Sequence, residues 1–586
     1  MANTLLDLFE KNPQLLEWRD KVTLLSRQLV MGFSGSSKAV VMASALSEQV
    51  PKILIVTSTQ NEAEQLTGDL SAILGEDKVY SFFADDVVAA EFIFASPEKT
   101  HSRLESLNFL IDKEASGVLV TSLVGTKLHL PNPKVYKDSR INLALGEEHD
   151  LEALSKHLTH IGYQRVEQVL SPGEFSRRGD ILDIYELTAE LPYRLEFFGD
   201  EIDGIRQFDS DSQKSLDNLE HVIVSPADDI ILTREDYQRA EKALESAVSK
   251  AEGPHKAYLE EVLSVTIDGY RHKDLRKFLS LFYDKAYTLF DYLPKGTPGF
   301  IDDFQKIVDR HGRLELEVAN LLTEDLHQGK SLSHLNYLVD SFKTLRNYQP
   351  ASFFSNFHKG LGNLKFDKLY QFTQYPMQEF FNQFPLLVDE IHRYTKNKAT
   401  VILQVGSEKQ LKSLKETLEE YDLDLPLSSF GDLIPHKPQL VLGNLSNGFY
   451  FADEKLVLVT EREIFHKKVK RRARASHVSN AERLKDYNEL EKGDYVVHQT
   501  HGIGQFKGIE TIEIKGVHRD YLTIQYQDAA TISLPVEQIE SLSKYVSADG
   551  KEPKINKLND GRFQKTKQKV SKQVEDIADD LLKLYA

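Results

Sequence analysis

The residues best equipped for chemistry lie at 32–39, Gly-Phe-Ser-Gly-Ser-Ser-Lys-Ala. Set against the phosphate-binding pattern G-x-x-x-x-G-K-[ST], Gly32 and Lys38 match, Ser37 replaces the second glycine and Ala39 replaces the hydroxyl residue. In that pattern glycine lets backbone N–H groups close on phosphate, lysine reaches the terminal phosphates and the hydroxyl ligates Mg²⁺. Alanine has no atom that can ligate a metal. The reading adopted is a decayed loop, with a loop that still holds nucleotide as the alternative. A second run, Asp389-Glu390-Ile391-His392, spells the DExH box of helicases. In a helicase that box ends a buried strand. Here Phe384, Leu387, Ile391 and Tyr394 keep helical spacing straight through it, so the match is read as coincidence. A third group places Arg165, Arg177 and Arg178 around Phe175. It reads either as a solvated basic loop or as the arginine-plus-aromatic composition of a protein-binding anchor. The run HKKVKRRAR at 466–474 is read as a solvated linker, with contact to a phosphate backbone or an acidic protein surface as the alternative.

These residues need elements to position them. The run at 52–59, KILIVTST, and the run at 117–123, GVLVTSL, read as buried strands. Between them Ala63, Leu66, Leu70 and Ile73 keep helical spacing, which makes residues up to about 125 an α/β unit. From 126 to 212 the pattern is strand-like, with a turn at Gly199–Asp200. Residues 213–345 look mainly helical, and Gly253 is expected to stop the helix that begins near Glu235. Another α/β pattern runs from 350 to 465. Between 490 and 545 short alternations recur, such as Leu522, Ile524 and Tyr526, punctuated by Gly493, Gly502, Gly504, Gly508 and Gly516. Several strands in so short a span are expected to curl into a small barrel. Such a barrel has no room for a catalytic cleft, but its exposed edge is a template for pairing with another protein. At the end, Val570, Val574, Ile577 and Leu581 line one face of a helix over 555–586.

Composition bounds the function. The 586 residues suggest about four domains at roughly 150 residues each. With 41% hydrophobic and 28% charged residues the composition is ordinary for a globular protein, so disorder is not the general expectation. There is no cysteine, which excludes disulfides, cysteine-ligated zinc and thiol catalysis, and fits a reducing cytoplasm. Asp7, Glu10 and Lys11 break the pattern of a secretory signal, and no apolar run is long enough to span a bilayer. A net charge of −18 argues against coating nucleic acid with the whole surface and leaves local basic patches open.

The stretches GEFSRRGDILDIYE (173–186) and LPYRLEFFGDEIDGIRQFD (191–209) resemble the domain shared by the excision-repair protein UvrB and the bacterial transcription-repair coupling factors (Mfd). The 490–545 stretch resembles the RNA-polymerase-interacting module of the coupling factors, also found in CarD-type regulators. The resemblance covers nearly the whole chain and favours the coupling-factor family. It implies a multidomain α/β and α+β fold. A degenerate UvrB-like α/β domain (1–125 and 213–345) carries an inserted UvrA-binding domain (126–212). An α/β domain of unassigned role (350–465), a basic linker (466–487), a Tudor- or SH3-like, CarD-like barrel (488–548) and a helix (555–586) follow. The helix leads toward motor domains that do not appear before Ala586.

The functions implied are those of an adaptor. The barrel is expected to grip the β subunit of RNA polymerase through Thr511, Ile512 and Glu513, and the inserted domain to bind UvrA through Arg165, Phe175 and Arg178. The loop at Gly32, Ser37, Lys38 and Ala39 is expected to hold no nucleotide, and Asp302–Asp303 stand where UvrB has its acidic box. Residues 122–133 are too short and too poor in aromatics for UvrB's damage-probing hairpin. No catalytic residue, metal or cofactor is expected in this chain. ATP and Mg²⁺, and most contact with DNA, belong with the motor. The chain is expected to be a cytoplasmic monomer without membrane contact. A UvrB-like damaged-DNA-binding ATPase is the alternative.

Overall fold

In the strand Lys52–Thr57 every residue is buried, because helices cover both faces of its sheet. Leu54 and Val56 join one core while Ile53 and Ile55 join the other, as the alternation of a strand requires. The computed structural model that gives these placements describes residues 4–7, 12–86, 97–210, 212–355, 361, 364–466, 492–498, 502–514, 517–527, 530–535 and 542–544. The expected linker after His466 and the expected helix at 555–586 lie outside these residues. The chain forms two units, Met1–Val478 and Ser479–Ala586.

In the first unit, seven parallel strands run in the order Lys368–Gln371, Arg27–Met31, Ala351–Ser355, Gly299–Asp302, Lys52–Thr57, Gly117–Ser122 and Val79–Phe82. Three of these come from beyond residue 298, so the first domain closes with strands drawn from distant parts of the chain. Ala351–Ser355 and Lys368–Gln371 therefore belong to this sheet, although the sequence pattern groups them with the α/β run from 350 onward. Gly253 also differs from expectation. The helix Arg234–Val248 ends before it, and Gly253, at φ +56°, opens the next helix, Gly253–Ile267.

An insertion leaves this domain after residue 138. Its six-stranded sheet runs Ser215–Asn218, Glu201–Phe208, Tyr193–Phe198, Ile181–Ile184, Glu174–Arg178 and Gln164–Arg165. His221–Val224 pairs with Ile141–Ala144, so the structural unit continues past the boundary at 212 drawn from the pattern. Its core gathers Leu154, Leu158, Phe175, Leu182, Ile184, Leu195 and Ile205. The segment at 122–133 is packed down: the Lys127 ammonium lies 3.0 Å from Glu315, and His129 Nε2 lies 2.8 Å from the Asn336 carbonyl.

A third sheet runs Gln374–Pro376, Phe449–Phe451, Leu456–Val459, Thr400–Val405, Pro438–Leu442 and Leu427–Ser428. Its residues Ile402, Val441, Phe449 and Leu458 share a core with Val40, Ile53 and Ile55 of the first domain. The DEIH run lies on the helix Phe384–Lys396, with Leu387, Ile391 and Tyr394 buried and Asp389 and His392 exposed. It is a helix face and not a strand-end box.

The second unit is an antiparallel sheet in the order Thr531–Pro535, Val517–Gln525, Gly502–Ile514, Tyr495–His498 and Leu542–Lys544. Val496, Phe506, Leu522, Ile524 and Tyr526 are buried. Close packing explains Gly504, where an added Cβ would lie 2.6 Å from Ile524. Among the described residues of the chain, no helix is long and apolar enough to cross a membrane.

Candidate functional site

The loop after the strand Arg27–Met31 delivers Gly32–Gly35 to the start of the helix Ser36–Ser44, where a phosphate would sit in a working site. Gly32 adopts φ +100°, and a Cβ there would lie 2.0 Å from the Phe372 carbonyl. The chain crossing from the first sheet to the third therefore runs directly over the loop. Gln374 Oε1 accepts from the Ser34 backbone N–H at 2.9 Å, and lies 3.2 Å from Ser34 Oγ and 3.1 Å from Ser37 Oγ. The Lys38 ammonium is 2.6 Å from Asp302 Oδ1, both side chains being largely buried. The donors that would serve phosphate are thus taken by the chain's own carbonyl and carboxylate, and Ala39 is buried without a ligand atom. These residues do not fit a magnesium nucleotide.

In the inserted domain, Arg178 Nη2 donates to Asp183 Oδ2 at 2.8 Å while half of the arginine side chain stays exposed. Asp183 is fully buried and also accepts from Arg194 Nε at 2.7 Å and Nη2 at 2.9 Å. This buried carboxylate orients two arginines. Arg177 reaches Glu152 at 2.9 Å, and Arg165 is exposed. Phe175 corrects the sequence expectation. Its exposure is 0%, in the domain core, so it supports the strand and presents no surface to a partner. The exposed aromatic is Phe198, at 83%. The Phe197 N–H donates to the Asp180 carbonyl at 2.8 Å, which puts Phe198 beside the turn that follows Arg178. The alternation of Leu195, Phe197 and Phe198 held that signal, since adjacent residues of a strand face opposite ways. Because Asp183 keeps Arg194 as a partner, Arg178→Ala should change domain stability by less than about 1 kcal/mol, read by thermal denaturation.

Thr511, Ile512 and Glu513 lie on the strand Gly502–Ile514, opposite Asp520, Arg519 and His518 of its neighbour. This strand is not the outer one expected; it is central in the sheet order. Yet Tyr495–His498 pairs with this strand only over Gly502–Gln505. Beyond that, among the described residues, the strand has a ladder on one side alone. A shift in register between Phe506 and Gly508, with Gly508 at φ +138°, marks a bulge just past that pairing, and the strand stays paired to Val517–Gln525 through Ile514. Ile509, just past this bulge, is 39% exposed.

Three family models match the chain: "UvrB interaction domain" over residues 141–229, "MFD, D3 domain" over 394–464 and "CarD-like/TRCF RID domain" over 490–546. The chain is 35% identical over 574 residues to a transcription-repair-coupling factor of Bacillus subtilis, covering 96% of this chain and 49% of that protein. To the protein of the same name from Staphylococcus haemolyticus it is 32% identical over 567 residues, covering 95% and 48%. The chain spans about half the length of the curated relatives it matches.

Proposed function

Because this chain belongs with the N-terminal part of the transcription-repair-coupling factors, we propose that it is the adaptor portion of such a factor, joining stalled RNA polymerase to UvrA. The carrying observation is the strand Gly502–Ile514, which beyond Gln505 is paired on one side alone among the described residues, inside the region that matches the CarD-like/TRCF RID family model. Free N–H and C=O groups along one side of a strand accept a strand from a partner, and alternate side chains supply specificity. Thr511, Ile512 and Glu513 make this contact with the β subunit, and the five strands close as a small CarD-like barrel. The inserted domain binds UvrA through Arg165 and Arg178, with Phe198 taking the role first given to Phe175. A guanidinium fixed by a buried carboxylate, as Arg178 is by Asp183, beside an exposed aromatic has the composition of a binding hot spot.

The intact protein is an ATP-driven DNA translocase whose motor, with its ATP and Mg²⁺, lies outside this chain; DNA is met mainly there. The adaptor acts as a cytoplasmic monomer. The occupied loop supports a chain without ATPase activity. Phosphate release from ATP should stay at background for the wild type and for Lys38→Ala alike; a rate lost on that substitution contradicts this. The proposal as a whole is tested by titrating the chain into bacterial core RNA polymerase and, separately, into UvrA. Binding to both is expected, and binding to neither overturns it.

A further inference from the structure

We propose that the degenerate loop has been converted from a phosphate cradle into a socket whose resident ligand is Gln374, and that this socket fixes the third domain on the first. The backbone N–H of Ser34 can only donate, so the amide of Gln374 must turn its oxygen toward the loop. That oxygen accepts from the Ser34 N–H at 2.9 Å and lies 3.2 Å from Ser34 Oγ and 3.1 Å from Ser37 Oγ, whose own hydrogen goes to the Ser34 carbonyl at 2.7 Å. A phosphate oxygen would seek the same Ser34 donors. The other end of the amide, Gln374 Nε2, is buried without a partner among the described residues. Gln374 therefore stands, uncharged, where a phosphate oxygen would seek donors.

A second set of bonds ties the same helix start to the third domain. Asp69, on the helix Gln60–Leu74, is 2% exposed. It accepts from the Ser446 N–H at 2.8 Å, from Ser446 Oγ at 2.6 Å and from Ser36 Oγ at 2.8 Å. Ser36 Oγ in turn accepts from the Asn447 N–H at 2.9 Å. Gly35 lets the loop approach closely, since a Cβ there would lie 3.0 Å from Asn447 Cβ. Two separate stretches of the third domain, near 374 and near 446, thus meet on the loop and helix start where phosphate would sit in a working site. Hydrogen bonds to such a socket hold the interface together in addition to the shared apolar core.

The test is hydrogen–deuterium exchange on the full chain, followed at the backbone amides of residues 374–376 and 446–448. Gln374→Ala should speed exchange there by roughly fivefold or more while leaving the inserted domain unchanged. Gln374→Glu should keep exchange near the wild-type rate, because one carboxylate oxygen still meets the Ser34 donors while the second takes the buried place of Nε2 without a donor. A filler without a socket role would give the opposite order, with Gln374→Glu disruptive. A second arm restores the loop with Ser37→Gly and Ala39→Thr and titrates a fluorescent ATP analogue with Mg²⁺. No binding is expected while Gln374 is in place. Binding by the restored loop, or exchange unmoved by Gln374→Ala, overturns the proposal. None of these outcomes depends on polymerase or UvrA.

Discussion

Replacing Asp229 with alanine is expected to destabilise the first domain by about 3–5 kcal/mol. Asp229 is 1% exposed and lies where the chain returns from the inserted domain to the first. Its carboxylate takes Arg103 Nε at 2.8 Å and Arg276 Nη2 at 2.6 Å, from the helices Pro97–Ile111 and Leu275–Phe282. Arg103 is completely buried. Without Asp229 its charge loses that partner in a low dielectric, and such a loss exceeds the modest worth of an exposed pair. Ile230, Ile231 and Leu232 follow directly into the core, so loosening this anchor should also free the return segment.

The pH dependence has a definite sign. Burial alone would raise the Asp229 carboxyl, but the guanidiniums of Arg103 and Arg276 outweigh it and hold the group well below the usual carboxylate range. A depressed pKa contributes stability that is fully present above the unfolded value of about 3.9 and is lost as pH falls through the folded value. Acid unfolding of wild type should therefore carry this group's contribution, and Asp229→Asn should be less stable at neutral pH and flatter in acid. Thermal unfolding from neutral pH downward measures both. Equal stability of wild type and Asp229→Ala at neutral pH would contradict the anchor.

Ile512→Arg is expected to weaken binding to RNA polymerase by several kcal/mol, on the order of a hundredfold or more in Kd. The substitution places a charge where, among the described residues, the strand Gly502–Ile514 has run past Tyr495–His498, so the pairing with Val517–Gln525 should survive while the proposed apolar contact should not. Circular dichroism should match wild type. Glu513→Lys, which reverses a charge on the same strand, should weaken binding as well. If neither substitution changes the affinity, the contact lies elsewhere.

Some elements could be read directly and others could not, for physical reasons. Lys52–Thr57 and Gly117–Ser122 are continuous apolar runs because both faces of a parallel sheet are covered, and such runs stand out. Lys368–Gln371 pairs with a strand about 340 positions away and has only Tyr370 buried, so nothing local assigns it to the first sheet. The replaced residues at Ser37 and Ala39 signalled a changed loop, but Gln374, Asn447 and Asp69 could not be found from it. Each reaches the loop only through the fold. Phe175 shows the limit of composition: an aromatic among arginines looks like an anchor whether it faces out or in. Its ladder partner Arg165 is exposed while Phe175 itself packs in the core.

The adaptor role is tested most directly by bridging. Core RNA polymerase would be immobilised, UvrA passed over it, and the retained UvrA measured with and without this chain. UvrA should be held only when the chain is present, and either Ile512→Arg or Arg178→Glu should abolish retention while leaving binding to the other partner intact. UvrA that fails to be retained by polymerase carrying the wild-type chain would contradict the adaptor role.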